Sequence, residues 1–503
     1  MLRYVILIEV VGYSLENVVA VARARAAYEV CDDRSCAPEI GGATSSAEVA
    51  LHQLFRTWRL DLDHYGTSAW NPLAALIPAG ARIVIKPNWV FHENQRGAGL
   101  DCLLTHSSII EAVAKYVGLT NPAHLIIGDA PIQGCDFEQL RRLAGVDELA
   151  DHLRRHGLQF SIVDFRRTIR KANSLGQQRS EGVRDLENFV LFDLKEDSLL
   201  ESLSDDASKF RVTMYNPDLL HRTHGAGRHQ YLITKEVIEA DVVINLPKLK
   251  SHRKACVTGA LKNLVGINGN KEYLPHHRKG GSESGGDCYV GRPGWKRAAE
   301  DLLDAANRRP PGTAQAIFAW IAGTAERIAA KLGADENLEG SWYGNDTIWR
   351  TCLDLQRILR YGRLDGSLAI TPQRTVISIT DAMIGGEGEG PLGNTPVPSG
   401  FVTGALNTAA TEWVHARLMG FDPGKIPLIR EAFGRFKYPL TDFSPDSIRI
   451  WIADTEKSVQ DLLPFEGRAF VPPRGWQGHC ELIEGGIPRP SEFTKPLFIR
   501  VTE

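Results

Sequence analysis

No run of this 503-residue chain is long and uncharged enough to read as a membrane span. The longest late apolar segment, Ala314 to Leu332, is interrupted by Glu326, Arg327 and Lys331 and reads as an amphipathic helix, so no membrane partner is expected. A signal peptide is not legible either. Met1 to Val11 sets Arg3 and Glu9 around a brief apolar run and reads as a first strand. The eight cysteines (Cys31, Cys36, Cys102, Cys135, Cys256, Cys288, Cys352, Cys480) are scattered and follow neither ferredoxin nor zinc spacing. No iron–sulfur cluster is expected, and free thiols in a reducing cytoplasm are. Charge of neither sign dominates: 58 Lys and Arg against 61 Asp and Glu leave a net charge of −3. That balance excludes a generic nucleic-acid or anionic-surface binder and confines any basic site to one locality.

That locality is Asp241 to Lys279. Val242-Val243-Ile244 is a β-branched run that reads as a buried strand, and Pro247 ends it because proline cannot donate to a sheet ladder. Lys248, Lys250 and His252 follow at alternate positions and point the same way if the backbone stays extended. A helix is expected from about Gly259 to Val265, N-capped by Thr258, with Lys262 in its first turn, where the macrodipole disfavours a cation. Lys248 to Lys279 holds eight Lys and Arg against one carboxylate, Glu272. Such a concentration implies a negatively charged guest. Nucleic acid is not that guest, because Tyr273 is the stretch's one aromatic and base stacking needs several.

Around this stretch, strands alternate with helices, which implies an α/β fold with a doubly wound, mostly parallel sheet. Helices are expected over 15–28, 47–60 (capped at Ser45 or Ser46), 107–117 (capped at Thr105 or Ser107), 137–143, 147–156, 408–418 and 425–433. Strands are expected at 82–85, 125–127, 160–163, 189–192, 211–214, 375–379 and 448–452. Residues 166–186, the His221–His224 run and 280–294 read as loops, and 295–360 as a mostly helical insertion. The chain then divides into 1–75 (first strand and helices), 76–270 (first α/β half with the basic loop), 271–370 (Gly/Ser-rich loop and insertion), 371–460 (second α/β half) and a C-terminal extension, 461–503.

Polar groups fall just past several strands: Lys86 and Asn88, Asp129, Asp164, Lys248 to His252, and Asp381. Open α/β sheets bind ligands outside these carboxyl ends. Asp381, Glu387 and Glu389 lie among glycines in a loop running to Gly393, and their carboxylates suit a hard divalent cation or a set of basic side chains. His276 and His277 are adjacent, so at most one joins His252. Asp346, Arg350 and Asp354 recur every fourth residue and read as an ion-pair ladder on a helix. Cys256 is a weaker candidate inside the basic stretch.

The phrases KPN (86–88), GD (128–129), INLPKLKSH (244–252), TGALKNLVG (258–266), GNDTIWR (344–350) and DAMIGGEGEGP (381–391) together resemble the domain of unknown function 362 family, over most of 80–430. Many of its relatives carry a ferredoxin-like cysteine domain that this chain lacks. The order of elements is also similar to the N-terminal half of nickel-pincer lactate racemases. That likeness implies a proton- or hydride-moving role for His252, a covalent cofactor anchor at Lys262 and a nickel ligand at His276. It departs where the racemases' other catalytic histidine belongs, which here reads Ala130-Pro131.

The sequence thus predicts a cytoplasmic enzyme for a small anionic substrate, a carboxylate or phosphorylated sugar, with chemistry of racemase or epimerase type. Lys86, Asn88, Asp129, Lys248, Lys250, Thr258 and Asn263 would bind the anion. His252, Lys262 and His276 would be catalytic, and Asp381, Glu387 and Glu389 would hold a divalent metal. The alternative is a non-catalytic binding protein for a phosphorylated metabolite or cofactor. The resident cofactor and the oligomeric state are not set by the sequence.

Overall fold

Short β-branched runs separated by helical stretches assemble into one large sheet. The computed structural model describes residues 9–10, 13–28, 45–172, 178–212, 215–308, 339–464 and 467–482. Its central sheet has twelve strands: β1 (Val18–Arg23), β2 (Arg82–Pro87), β3 (His124–Asp129), β4 (Ser161–Asp164), β5 (Val242–Leu246), β6 (Lys248–His252), β7 (Cys256–Thr258), β8 (Thr375–Glu389), β9 (Gly393–Val397), β10 (Phe401–Ala405), β11 (Arg449–Ile452) and β12 (Thr455–Ser458). Their order is β12-β11-β1-β10-β8-β5-β2-β3-β4, with β6 and β9 paired to β8, and β7 to β6. The run β8-β5-β2-β3-β4 is parallel throughout, so its carboxyl ends all open on one edge.

The main helices are α1 (Ser46–Thr57), α2 (Ser107–Gly118), α3 (Phe137–Leu143), α4 (Val146–Arg155), α5 (Ala260–Asn263), α6 (Gly294–Asn307), α7 (Ile348–Tyr361) and α8 (Thr408–Leu418). Residues of α1, α2 and α4 share one core with Val18, Ala20 and Ala22 of β1. Residues of α7 and α8 share the other core with Val19 and Val21. The sheet is therefore covered on both faces, as parallel sheets require.

This double coverage explains one error in the sequence reading. The expected helix over 15–28 is instead a 3-10 turn, Leu15–Asn17, followed by β1. Both faces of the strand are buried, so the alternation that marks a half-exposed strand is missing. The expected loop at 166–186 contains a hairpin, Thr168–Ala172 with Gln178–Gly182. The histidine-rich loop is the end of a helix, Pro217–Thr223, leading into the two-residue strand His224–Gly225. The acidic glycine-rich loop is the second half of β8, which runs to Glu389 and turns back through β9. The amphipathic helix expected at 314–332, Cys31, Cys36 and most of the first strand lie outside the described residues.

Among the described residues no helix is long and apolar enough to cross a membrane. At the start of α1, Ser45 Oγ accepts from the Glu48 N–H at 3.2 Å and the Glu48 carboxylate accepts from the Ser45 N–H at 3.2 Å. This reciprocal cap satisfies two otherwise open donors. Ser45→Ala should lower the unfolding free energy by about 1 kcal/mol in a denaturant titration, with the slope against denaturant unchanged.

Candidate active site

The site lies at the carboxyl ends of β2, β3 and β5 and beside the middle of β8, where Asp381 sits. Lys86 ends β2 and Asp129 ends β3, and their buried side chains meet at 2.7 Å. Asp129 also accepts from the Trp89 and Ala130 N–H groups at 2.7 and 2.8 Å. Burial is the largest influence on both, pushing the Lys86 pKa down and the Asp129 pKa up against their mutual attraction. Asn263 Oδ1 accepts from Lys86 Nζ and Asn88 Nδ2, each at 3.0 Å, which ties α5 to the end of β2. Gly266 arches over this pair. A Cβ there would lie 1.9 Å from Asp129 Oδ1 and 2.7 Å from Lys86 Nζ, so no larger residue fits without displacing them.

Pro247 separates β5 from β6, and β6 carries Lys248, Lys250 and His252 at alternate positions. Lys248 Nζ bonds Asp381 Oδ2 at 2.6 Å, and both side chains are fully buried. Tyr28 closes the network: its hydroxyl donates to Asp381 Oδ1 at 2.7 Å and accepts from Lys248 Nζ at 2.7 Å. The His106 N–H donates to Asp381 Oδ2 at 3.0 Å. Lys250 has no carboxylate partner and donates to the Leu103 carbonyl at 2.5 Å. Burial holds its pKa well below the ordinary lysine range.

Lys262 differs from every other lysine of the stretch. It is 9% exposed and makes no hydrogen bond or ion pair among the described residues. Burial depresses its pKa. It also lies close enough to Lys86, Lys250, His252, Lys254, Lys271 and His276 to lower the pKa of each. Lys271, which donates to the Ala130 carbonyl at 3.2 Å, is brought down to about 7, chiefly by burial.

Two histidines flank Lys262. Nδ1 of the buried His252 accepts from the Lys254 and Ala255 N–H groups at 3.0 and 3.3 Å. That nitrogen must therefore carry a lone pair, and the neutral ring holds its proton on Nε2. His276 has the opposite arrangement. Its Nδ1 lies 2.6 Å from the Leu274 carbonyl and donates to it, so Nε2 keeps the lone pair. Neither Nε2 has a partner among the described residues. Burial, followed by the charge of Lys262, pushes both pKa values well below the ordinary histidine value. The basic cluster thus presents one ring as a donor, one as an acceptor and an amine without a partner among the described residues.

Some expected roles change. Thr258 is not the cap of α5: it ends β7, Gly259 precedes the helix, and the Thr258 hydroxyl is buried without a partner. The N-terminus of α5 is taken by Glu412 of α8, whose carboxylate accepts from the Leu261 N–H at 2.8 Å. Because α5 has four residues, Lys262 lies in its last turn, not a first turn of a longer helix. Asp381, Glu387 and Glu389 each meet a separate basic partner. Asp381 serves Lys248, Glu387 meets Arg468 at 3.4 Å and the Val471 N–H at 2.9 Å, and Glu389 meets Arg253 at 2.7 Å. Asp164 holds the buried Arg166 at 2.6 Å. Arg350 pairs with Asp346, but the ladder stops there, because Asp354 bonds Arg357, Ser198 and Tyr231. Cys256 is buried against Cys480.

Sequence reasoning missed Tyr28, Lys271 and Glu412. Of these, Lys271 alone carries a sequence signal, its place in the basic stretch; nothing local marks Tyr28 or Glu412. A separate cleft of about 240 Å³, lined by Asp101, His106, Ser107 and Gly145 among others, opens at the start of α2 and contains none of the predicted site residues.

Residues 206–417 match the family described as Domain of unknown function (DUF362). The resemblance read from the sequence thereby holds for the phrases from INLPKLKSH to DAMIGGEGEGP, while KPN and GD lie outside the matched stretch. A thylakoid-associated protein of Synechocystis is 36% identical over 86 residues, covering 17% of this chain and 25% of that relative. The lactate racemase apoprotein of Thermoanaerobacterium thermosaccharolyticum aligns over 72% of this chain and 55% of its own, with a TM-score of 0.29 and 13% identity. A Thermotoga maritima protein aligns over 64% and 51%, with a TM-score of 0.29 and 10% identity. The chain thus spans a quarter of that curated relative and about half of each solved structure. Likeness at these levels carries neither ligand nor mechanism across.

Asp381→Asn strands the Lys248 ammonium in the interior and should cost about 3–5 kcal/mol. Adding Lys248→Met should restore at least half of that loss in chemical denaturation. Glu412 is pushed up to about 8 by burial, from an ordinary value of 4.5. Between those values the folded state holds a proton that the unfolded chain releases, so this group's contribution to stability falls as pH rises from about 4.5 to 8. Unfolding curves of Glu412→Gln should lack that part of the pH slope.

Proposed function

We propose that this chain is an enzyme that binds a small anionic substrate at Lys262 and moves a proton with His252 and His276. The carrying observation is the buried, unpartnered Lys262 amine. Removing a cation from water without a counterion is costly, and Lys250 and Lys271 nearby bond backbone carbonyls rather than carboxylates among the described residues. An incoming carboxylate or phosphate supplies the missing negative charge, with Lys250 and Lys271 beside it. Lys86 and Lys248 already have carboxylate partners, so they shape the pocket's walls.

The two rings supply the chemistry. His252 offers a proton from Nε2 and His276 a lone pair on Nε2, which suits withdrawal of a proton at one position of the substrate and delivery at another. A carbon acid beside the bound anionic group, as in a 2-hydroxy acid or sugar phosphate, makes the reaction an isomerisation of racemase or epimerase type. The same free amine and open imidazole are the atoms that a lysine-linked nickel cofactor would use, and such a group would supply a hydride acceptor. Intact mass and metal analysis of the purified protein would detect it.

The reading separates from simple anion binding by experiment. Inorganic phosphate and lactate should raise the melting temperature of the wild-type protein. Lys262→Met should lose that response while gaining about 1 kcal/mol of intrinsic stability, because it removes an uncompensated charge. An anion response that survives in Lys262→Met would remove Lys262 from the site. For the chemistry, wild-type protein in D2O should wash deuterium into one member of a panel of 2-hydroxy acids and sugar phosphates. His252→Ala should slow that exchange by about 10²–10⁴-fold with the fold intact. Anion binding without any wash-in would instead identify a non-catalytic binding protein.

A further inference from the structure

His277 is set apart from the Lys262 cluster. It lies on the two-residue strand His277–Arg278, and the charges that act on it are those of Lys254, His276 and Arg211 rather than Lys262. The residue is 4% exposed, neither ring nitrogen has a hydrogen-bond partner among the described residues, and Nδ1 is fully enclosed. An enclosed imidazole nitrogen without a partner carries a desolvation cost that a ligand would relieve.

Two other donors meet it there. Cys288 comes from the following loop and Glu300 from the middle of α6. One donor atom from each of His277, Cys288 and Glu300 lies within 4.8 Å of the other two. The surroundings orient the sulfur and the carboxylate. The Glu339 N–H donates to Cys288 Sγ at 3.0 Å, and Tyr289 OH donates to Glu300 Oε2 at 2.9 Å. The Gly280 N–H donates to both Glu300 oxygens at 3.1 Å.

We propose that His277, Cys288 and Glu300 form a binding site for a divalent ion of the zinc class. The donor set of one nitrogen, one sulfur and one oxygen suits a borderline-soft ion and is unsuited to magnesium or calcium, which prefer oxygen alone. Zinc bound at about 2.0–2.3 Å needs its ligands roughly 3.3–3.8 Å apart, so the three donors close by at most about 1.5 Å on binding. Coordination replaces the thiol S–H bond with a sulfur–metal bond and releases the proton to solvent. Thiolate and carboxylate then balance the ion's two positive charges, and a fourth position remains for water. Because His276 is the adjacent residue, the ion also fixes the segment that brings that ring to Lys262. The site stands independently of the reaction assigned to the pocket.

The test uses the full-length, reduced protein, stripped with a chelator and titrated with cobalt(II). One equivalent should bind, with a near-ultraviolet sulfur-to-cobalt charge-transfer band and intense visible bands of four-coordinate cobalt, and zinc should displace it. Cys288→Ser should abolish the charge-transfer band. Glu300→Gln and His277→Ala should each weaken binding at least tenfold (a factor of about 10 or more), with the circular dichroism of the metal-free protein unchanged. Absence of stoichiometric uptake by the wild type, or a charge-transfer band that persists in Cys288→Ser, would overturn the proposal. The wild-type titration decides the matter even if a variant fails to fold.

Discussion

A lysine amine enclosed by protein, with no negative partner among the described residues, is the constraint around which this structure is arranged. Lys262 raises the electrostatic cost of every base near it, from Lys86 on β2 to Lys271 beyond α5. A fold selected for stability alone would have placed a methionine or leucine at this position. Its retention in the interior beside two uncharged histidines is understandable when negative charge arrives with a ligand.

The neighbouring charges show how such a cluster is contained. Lys86 with Asp129, and Lys248 with Asp381 and Tyr28, are closed networks that pin the end of β2 to that of β3 and the start of β6 to the middle of β8. Glu412 closes the start of α5 from the opposite helix. The glycine at 266 lets the chain pass close over the first pair. These groups occupy the outer positions that a reading of residue types alone would have assigned to substrate, and they leave Lys262 and the two rings at the centre.

Much of this framework was legible in the sequence because its signals are local. A β-branched run ending at Pro247 could only be a strand that stops, and the polar groups just beyond the strands fell on one edge as parallel pairing demands. Signals that depend on distant parts of the chain were not legible. The N-terminal strand looked helical because packing on both faces erases its alternation. The second half of β8 looked like a loop because its glycines accommodate close neighbours: a Cβ at Gly386 would lie 2.5 Å from the Cys102 carbonyl oxygen. Which carboxylate meets which cation, and which nitrogen of a histidine holds the proton, follow from backbone groups that no spacing rule reveals.

The position of β1 has a consequence for biosynthesis. Its two neighbours in the sheet, Phe401–Ala405 and Arg449–Ile452, lie nearly the whole chain away. At roughly 5–20 residues per second, a ribosome needs on the order of 20 s to more than a minute to deliver them. Throughout that interval a strand with two apolar faces and two open edges must be kept from pairing with other chains. Completion of the sheet is therefore a late event, and the nascent polypeptide is a natural client for chaperones until the C-terminal third has emerged.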